Sequence, residues 1–115
     1  MQATIERVGD VTVAVLPGES LDASNAKAFR QDIAPVLVTD AKVIFDLSSV
    51  QFVDSSGLGA LLSCLRHVHA AGGQLKLCAL AKPVWNLFEL VRMDRIFDIL
   101  ATRGEAIEAF QRNQA

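Results

Sequence analysis

Ser55 lies in the run Asp54-Ser55-Ser56-Gly57-Leu58-Gly59, a small polar cluster placed just ahead of an apolar stripe. A serine hydroxyl in such a place has three uses: it can attack a substrate, cap the helix that follows, or carry a modification. Attack needs a base within hydrogen-bond reach. The two histidines, His67 and His69, fall about three turns further along the same expected helix, at ~1.5 Å per residue. They read as a solvated or half-buried helix face. Asp54 is better suited to holding the loop and setting a negative field beside Ser55 than to proton transfer. No catalytic residue is therefore assigned, and the chain is expected to be a binding module rather than an enzyme. Ser56 reads as a first-turn helix residue or contact. Gly57 and Gly59 each cost a helix about 1 kcal/mol against alanine, which points to close approach of a partner or of a loop.

Cys64 and Cys78 sit in apolar segments and read as buried, reduced thiols. Neither CxxC spacing nor a histidine cluster accompanies them, so no metal and no cofactor is expected. A nucleotide-sensing role for the helix N-terminus finds no support in a GxxxxGK[ST] loop.

The elements that must position these residues follow from composition and pattern. The chain has 115 residues, 51% hydrophobic and 21% charged, which suits a single domain over 1–115 with a real core. Its formal net charge is -2, with 11 basic and 13 acidic residues, and no basic cluster stands out, which argues against direct nucleic-acid binding. No apolar run approaches the ~20 residues of a membrane span. The first residues lack a basic segment followed by an apolar one, so no signal peptide is read and a cytoplasmic location is expected.

Ala3 to Val8 and Val11 to Leu16 read as two strands joined at Gly9-Asp10, an antiparallel hairpin that Pro17-Gly18 ends. Asp22 is placed to cap a first helix with the stripe Ala26, Phe29, Ile33 and Leu37, and Pro35 predicts a kink or stop near Ala34. Val43 to Leu47 reads as a buried parallel strand. Leu58, Leu61, Leu62, Leu65 and Val68 form the clearest helical stripe, which Gly72-Gly73 stops. Gln74 to Leu80 is a strand. Pro83 opens a third helix with the stripe Val84, Leu87, Phe88 and Val91. Ile96 to Leu100 is a last strand, and Thr102 with Glu105 has capping-box spacing ahead of Ala106, Ile107 and Phe110. The order is ββαβαβαβα, an α/β fold with a mostly parallel sheet. Val13, Phe45, Leu77 and Ile99 are expected in or near one core, with Leu61 and Phe88 packed onto it. Trp85 lies off its helix stripe, either as an exposed anchor or folded back onto the domain.

The stretch from Asp46-Leu47-Ser48 through Asp54-Ser55-Ser56-Gly57-Leu58-Gly59 resembles the signature of the STAS family, and within it the bacterial anti-sigma factor antagonists. Gly18 with Leu21-Asp22-Ala23, Gly72-Gly73-Gln74-Leu75, Leu87-Phe88-Glu89-Leu90 and Asp94-Arg95-Ile96-Phe97 resemble further segments of that family, so the likeness covers nearly the whole chain. Two positions depart from it. Gly18 to Asp22 is one residue longer than the family's loop, and Arg92 stands where a glycine is common.

The resemblance implies a single STAS-type domain and a partner-switching protein. By it, Ser55 is the phosphorylation site. The kinase would be an anti-sigma factor of GHKL type, and a metal-dependent serine phosphatase would reverse the modification. The unphosphorylated form would bind the anti-sigma factor and the phosphorylated form would not. The alternative is a scaffold STAS subunit of a stress-sensing or membrane transport complex. Partner contacts are expected at Asp22, Ser24, Asp54, Ser56, Gly57, Gly59, Ser63 and Arg66. A monomer or weak dimer is expected, with the oligomeric state left open by the sequence.

Overall fold

The computed structural model describes residues 2–112. Its β-branched segments form a five-stranded sheet in the order β1-β2-β4-β6-β7, built from β1 (Thr4–Val8), β2 (Val11–Val15), β4 (Lys42–Asp46), β6 (Gln74–Cys78) and β7 (Asp98–Leu100). The β1-β2 pair is an antiparallel hairpin turning at Gly9, whose φ of 63° suits glycine. Every other pairing in this sheet is parallel, with Phe45 opposite both Ala14 and Leu77. Two further strands, β3 (Ser20–Leu21) and β5 (Phe52–Val53), pair in parallel as a separate two-stranded sheet. They are too short to show any period and have no counterpart in the pattern read from the sequence.

Alternation along the strands sorts the core into two layers. Ala14, Val43, Phe45, Leu75 and Leu77 face α1 (Ala26–Thr39), α2 (Ser55–Ala70) and α3 (Lys82–Leu90). Leu61 and Phe88 are fully buried there, and Ile99 packs against that layer. Val11, Val13, Ile44 and Cys78 face the opposite way, onto Ala106 and Phe110 of α4 (Arg103–Arg112). Val13 therefore does not share the layer expected for it: its neighbour Ala14 points to α1 and α2, and Val13 must point away.

Three local expectations are corrected. Helix α1 runs through Pro35 to Thr39 without stopping. The proline removes one backbone donor on an exposed face, where the Gln31 carbonyl can turn to water, while Ile33 and Leu37 on either side stay buried. The residue ahead of α1 is Asn25 rather than Asp22, which instead forms a turn that accepts from the backbone and hydroxyl of Ser24. The last strand begins only at Asp98, because Met93–Arg95 forms a 3₁₀ turn that leaves Ile96 half exposed.

Other expectations hold. Gly72 takes φ 84° at the end of α2. The Thr102 hydroxyl accepts from the N–H of Glu105 at the start of α4. Arg92 adopts the left-handed conformation, φ 62° and ψ 26°, that glycine would take more easily. No described helix is long and apolar enough to cross a membrane.

Candidate functional site

The two-residue strands explain why Ser55 is where it is. Backbone N–H groups of Gln51 and Phe52 donate to the Glu19 carbonyl, at 2.7 and 3.1 Å, and the N–H of Asp54 donates to the Leu21 carbonyl at 3.3 Å. This small sheet ties the loop before α1 to the segment before α2. The Asp54 carboxylate completes the tie: one oxygen accepts from the N–H of Gly57 at 2.9 Å, and the other accepts from the N–H of Ala23 at 3.1 Å. Asp54 is thus the N-cap of α2, and it holds the Asp22 turn beside the helix start.

Ser55 is the first residue of the helix, not its cap. It is exposed, and its hydroxyl has no hydrogen-bond partner among the described residues. Its backbone N–H and that of Ser56 belong to the first turn, where helical donors lack intrahelical acceptors. An exposed hydroxyl thus stands at the positive end of a 16-residue helix.

Asp22, Ala23, Ser24 and Asp54 are joined directly by hydrogen bonds. The Asp22 carboxyl is held below its usual range by hydrogen bonds from the Ser24 hydroxyl, then the Ser24 backbone and the Ser20 side chain. Along α2, Ser55, Gly59 and Arg66 follow at intervals of four and seven residues and share one exposed stripe, with Leu62 between them partly buried against the core. Ser56 is exposed on the first turn. Ser63 is turned toward α1, half-buried beside His67.

Gly57 is different. It is buried, and a Cβ there would come within 2.1 Å of the Leu21 carbonyl oxygen. Its lack of a side chain serves the close approach of the loop, the second of the two roles expected of it, and its position is buried and not at the surface. Gly59 meets nothing within 4 Å at its Cβ position and is open to solvent.

One surface residue was not singled out by the sequence reading. Phe52 in β5 is 57% exposed next to the site. Two successive strand residues point to opposite sides, so with Val53 buried, Phe52 must face out. Trp85 is half-buried and lines a groove of about 400 Å³ with Leu80, Ile99, Leu100 and Ala101, which places it partly back on the domain.

Below the site, Asp46 ends β4. Its carboxylate accepts from the N–H of Ser48 at 2.9 Å and from two nitrogens of Arg103 at 2.9 and 3.1 Å. Burial works to raise its pKa, but the hydrogen bonds from Ser48 and the Arg103 guanidinium outweigh it and hold the carboxyl below its usual value. Arg103 also pairs with Glu6 of β1. Burial pushes the thiols of Cys64 and Cys78 up to about 12, so both are protonated at neutral pH.

The strand order β1-β2-β4-β6-β7, with a serine at the start of α2, defines the class as an α/β domain with a mixed, mostly parallel sheet. Residues 2–106 match the STAS domain family, and the chain belongs to that family. It is 31% identical over 81 residues to the anti-sigma-B factor antagonist of Bacillus subtilis, covering 70% of this chain and 74% of that protein. A Thermotoga maritima protein, named provisionally as an anti-sigma factor antagonist, is 28% identical over 108 residues, 92% of this chain and 96% of that one. The crystal structure of a Thermotoga maritima protein of the same description superposes with a TM-score of 0.85 over 93% of this chain and 92% of that one, at 28% identity. The phosphorylated form of Bacillus SpoIIAA, at 23% identity, shares the fold with a TM-score of 0.70 over 94% of this chain and 98% of that one.

Proposed function

We propose that this chain is an anti-sigma factor antagonist in a partner-switching pathway. Its unphosphorylated form binds an anti-sigma factor that is also a serine kinase of GHKL type, and phosphorylation of Ser55 prevents that binding. A metal-dependent serine phosphatase restores the binding form. The chain supplies a surface and an acceptor hydroxyl, and its partners supply the catalysis.

The observation that carries this reading is the division of labour between Asp54 and Ser55. Asp54 caps α2, so the Ser55 hydroxyl is exposed and uncommitted. His67 lies twelve residues down the helix, about 18 Å at ~1.5 Å per residue, and both Asp54 oxygens already accept backbone N–H groups. Among the described residues no uncommitted base stands beside Ser55 to make it a nucleophile for hydrolysis. The naming of relatives as anti-sigma factor antagonists, and the existence of SpoIIAA in phosphorylated form, support the same reading.

Phosphate on Ser55 adds about -1.5 to -2 charges at neutral pH. The domain tolerates it, since the helix N-terminus offsets part of that charge by roughly 0.3–1 kcal/mol. A partner seated over Ser55 and Gly59 would have to desolvate a dianion, which costs several kcal/mol, and each ~1.4 kcal/mol is tenfold in affinity.

The test is phosphorylation by the candidate kinase, site mapping by mass spectrometry, and calorimetry of each form with that kinase. Ser55→Ala is expected to bind and to resist switching off. Ser55→Asp is expected to bind more weakly than wild type, but better than the phosphoprotein. Phosphate found only on Ser56, or equal affinity of the two forms, would defeat the reading and favour a permanent scaffold contact.

A further inference from the structure

Helices α1 and α2 leave between them a groove of about 310 Å³ on the side away from the sheet. Along its α1 wall the polarity runs in one direction. Lys27, Arg30 and Gln31 line one end, while Ala34, Leu37 and Val38 line the other. From Lys27 to Val38 is eleven residues of helix, about 16 Å at ~1.5 Å per residue. The facing wall is α2, with Ser63, Cys64 and His67.

Three features of this groove ask for a ligand. Among the described residues no acidic side chain lines it. Neither Lys27 nor Arg30 has a carboxylate partner among the described residues. Val38 is 64% exposed at the far end, a large apolar side chain left to water on a helix whose stripe is otherwise buried inward. Two unpaired cations at one end and apolar surface at the other complement a single molecule with an anionic head and a hydrocarbon tail. The volume falls near the lower end of small-molecule sites, ~300–1,000 Å³, which suits one chain rather than a two-chain lipid.

We propose that the α1-α2 groove binds a single-chain anionic amphiphile, of the medium-chain carboxylate class. The headgroup pairs with Lys27 and Arg30, and the tail lies over Ala34, Leu37 and Val38 against the buried Cys64. Ser63 lines this groove and also adjoins the outward stripe of Ser55, Gly59 and Arg66, so an occupant sits beside the proposed partner face. The proposal does not depend on phosphorylation of Ser55.

The test uses the full chain, ¹⁵N-labelled, titrated with decanoate below its micelle concentration. Amide shifts are expected to cluster in residues 27–38 and 63–67 and to saturate. Decanol, with the same tail and no charge, and hexanoate, with the same head and a shorter tail, should each bind at least tenfold more weakly. Lys27→Gln with Arg30→Gln, both at exposed positions, should lose tenfold or more for decanoate and little for decanol. Ala34→Trp, which fills the groove from an exposed position, should abolish both, with circular dichroism confirming that the variants fold.

Equal binding of decanol and decanoate, shifts centred elsewhere, or no saturable response would overturn the proposal. Sedimentation with phosphatidylglycerol-containing vesicles, without a response to monomeric decanoate, would also overturn it and assign the face to a membrane surface.

Discussion

A Cβ placed on Gly57 would stand 2.1 Å from the carbonyl oxygen of Leu21, whereas one placed on Gly59 would meet nothing. Two glycines two residues apart in one helix thus do opposite work. Gly57 lets the first turn of α2 close on β3, while Gly59 keeps the exposed stripe bare. Gly57→Ala must displace backbone and is expected to destabilise the domain by roughly 1–3 kcal/mol or more. Gly59→Ala should stabilise it by up to about 1 kcal/mol through helix propensity. Denaturant melts of both variants check this, and two alanine variants of similar stability would contradict the packing described.

Arg92 carries a left-handed backbone between α3 and the 3₁₀ turn. A side chain in that region costs about 1–2 kcal/mol, partly returned by the smaller entropy of its unfolded state compared with glycine. Arg92→Gly is therefore expected to raise stability by about 0.5–1 kcal/mol. For a domain of this size that is a rise in Tm of roughly 2–5 °C, readable by calorimetry.

The Asp46 carboxylate, with its pKa lowered in the fold, makes a directional acid prediction. The stability it contributes is fully present above the unfolded carboxyl pKa of ~3.9 and is lost as pH falls through the lower folded value. Asp46→Asn leaves Arg103 and the Ser48 N–H with a poorer acceptor and should cost roughly 1–3 kcal/mol at pH 7. The gap between wild type and variant should narrow steadily below about pH 4. A gap constant with pH would mean that the loss is one of packing and not of charge. Asp40, also lowered in the fold against burial by Thr12 and Arg7, leaves some acid sensitivity in the variant.

The order of the longer elements was legible because each carries a period: β-branched runs in β2 and β4, and the 3-4 stripe in α2. The Ser55 cluster was legible because small polar residues preceded that stripe. What escaped had no local signature. β3 and β5 have two residues each, and their pairing is a long-range fact. Asp54 caps α2 through the N–H of Gly57, but its second oxygen also reaches Ala23, 31 residues away, and that tie has no local sign. Asp46 and Arg103 lie 57 residues apart, and nothing near either announces the other. Ala79, with φ 59°, gives no sign in the sequence of its strained backbone. Pro35 shows the converse: its local rule was clear, and the buried residues on both sides overrode it.

Phe52 gives the sharpest test of the proposed partner face. It sits in β5, two residues before Asp54, with more than half of its surface in water. A ring in that position adds little to the fold, since its neighbour Val53 supplies the buried contact. Phe52→Ala should therefore change stability by no more than about 0.5 kcal/mol. An exposed aromatic beside an interface centre, however, is the kind of residue that anchors binding, at ~2 kcal/mol or more when truncated. Affinity for the proposed partner kinase should fall about 30-fold, at ~1.4 kcal/mol per decade. Arg66→Glu, at the far end of the α2 stripe, should slow association and alter its salt dependence more than its dissociation, as rim charges do. Surface plasmon resonance at two salt concentrations separates the two effects. An unchanged affinity in Phe52→Ala, with Ser55 phosphorylation still abolishing binding, would move the interface off β5 and onto α2 alone.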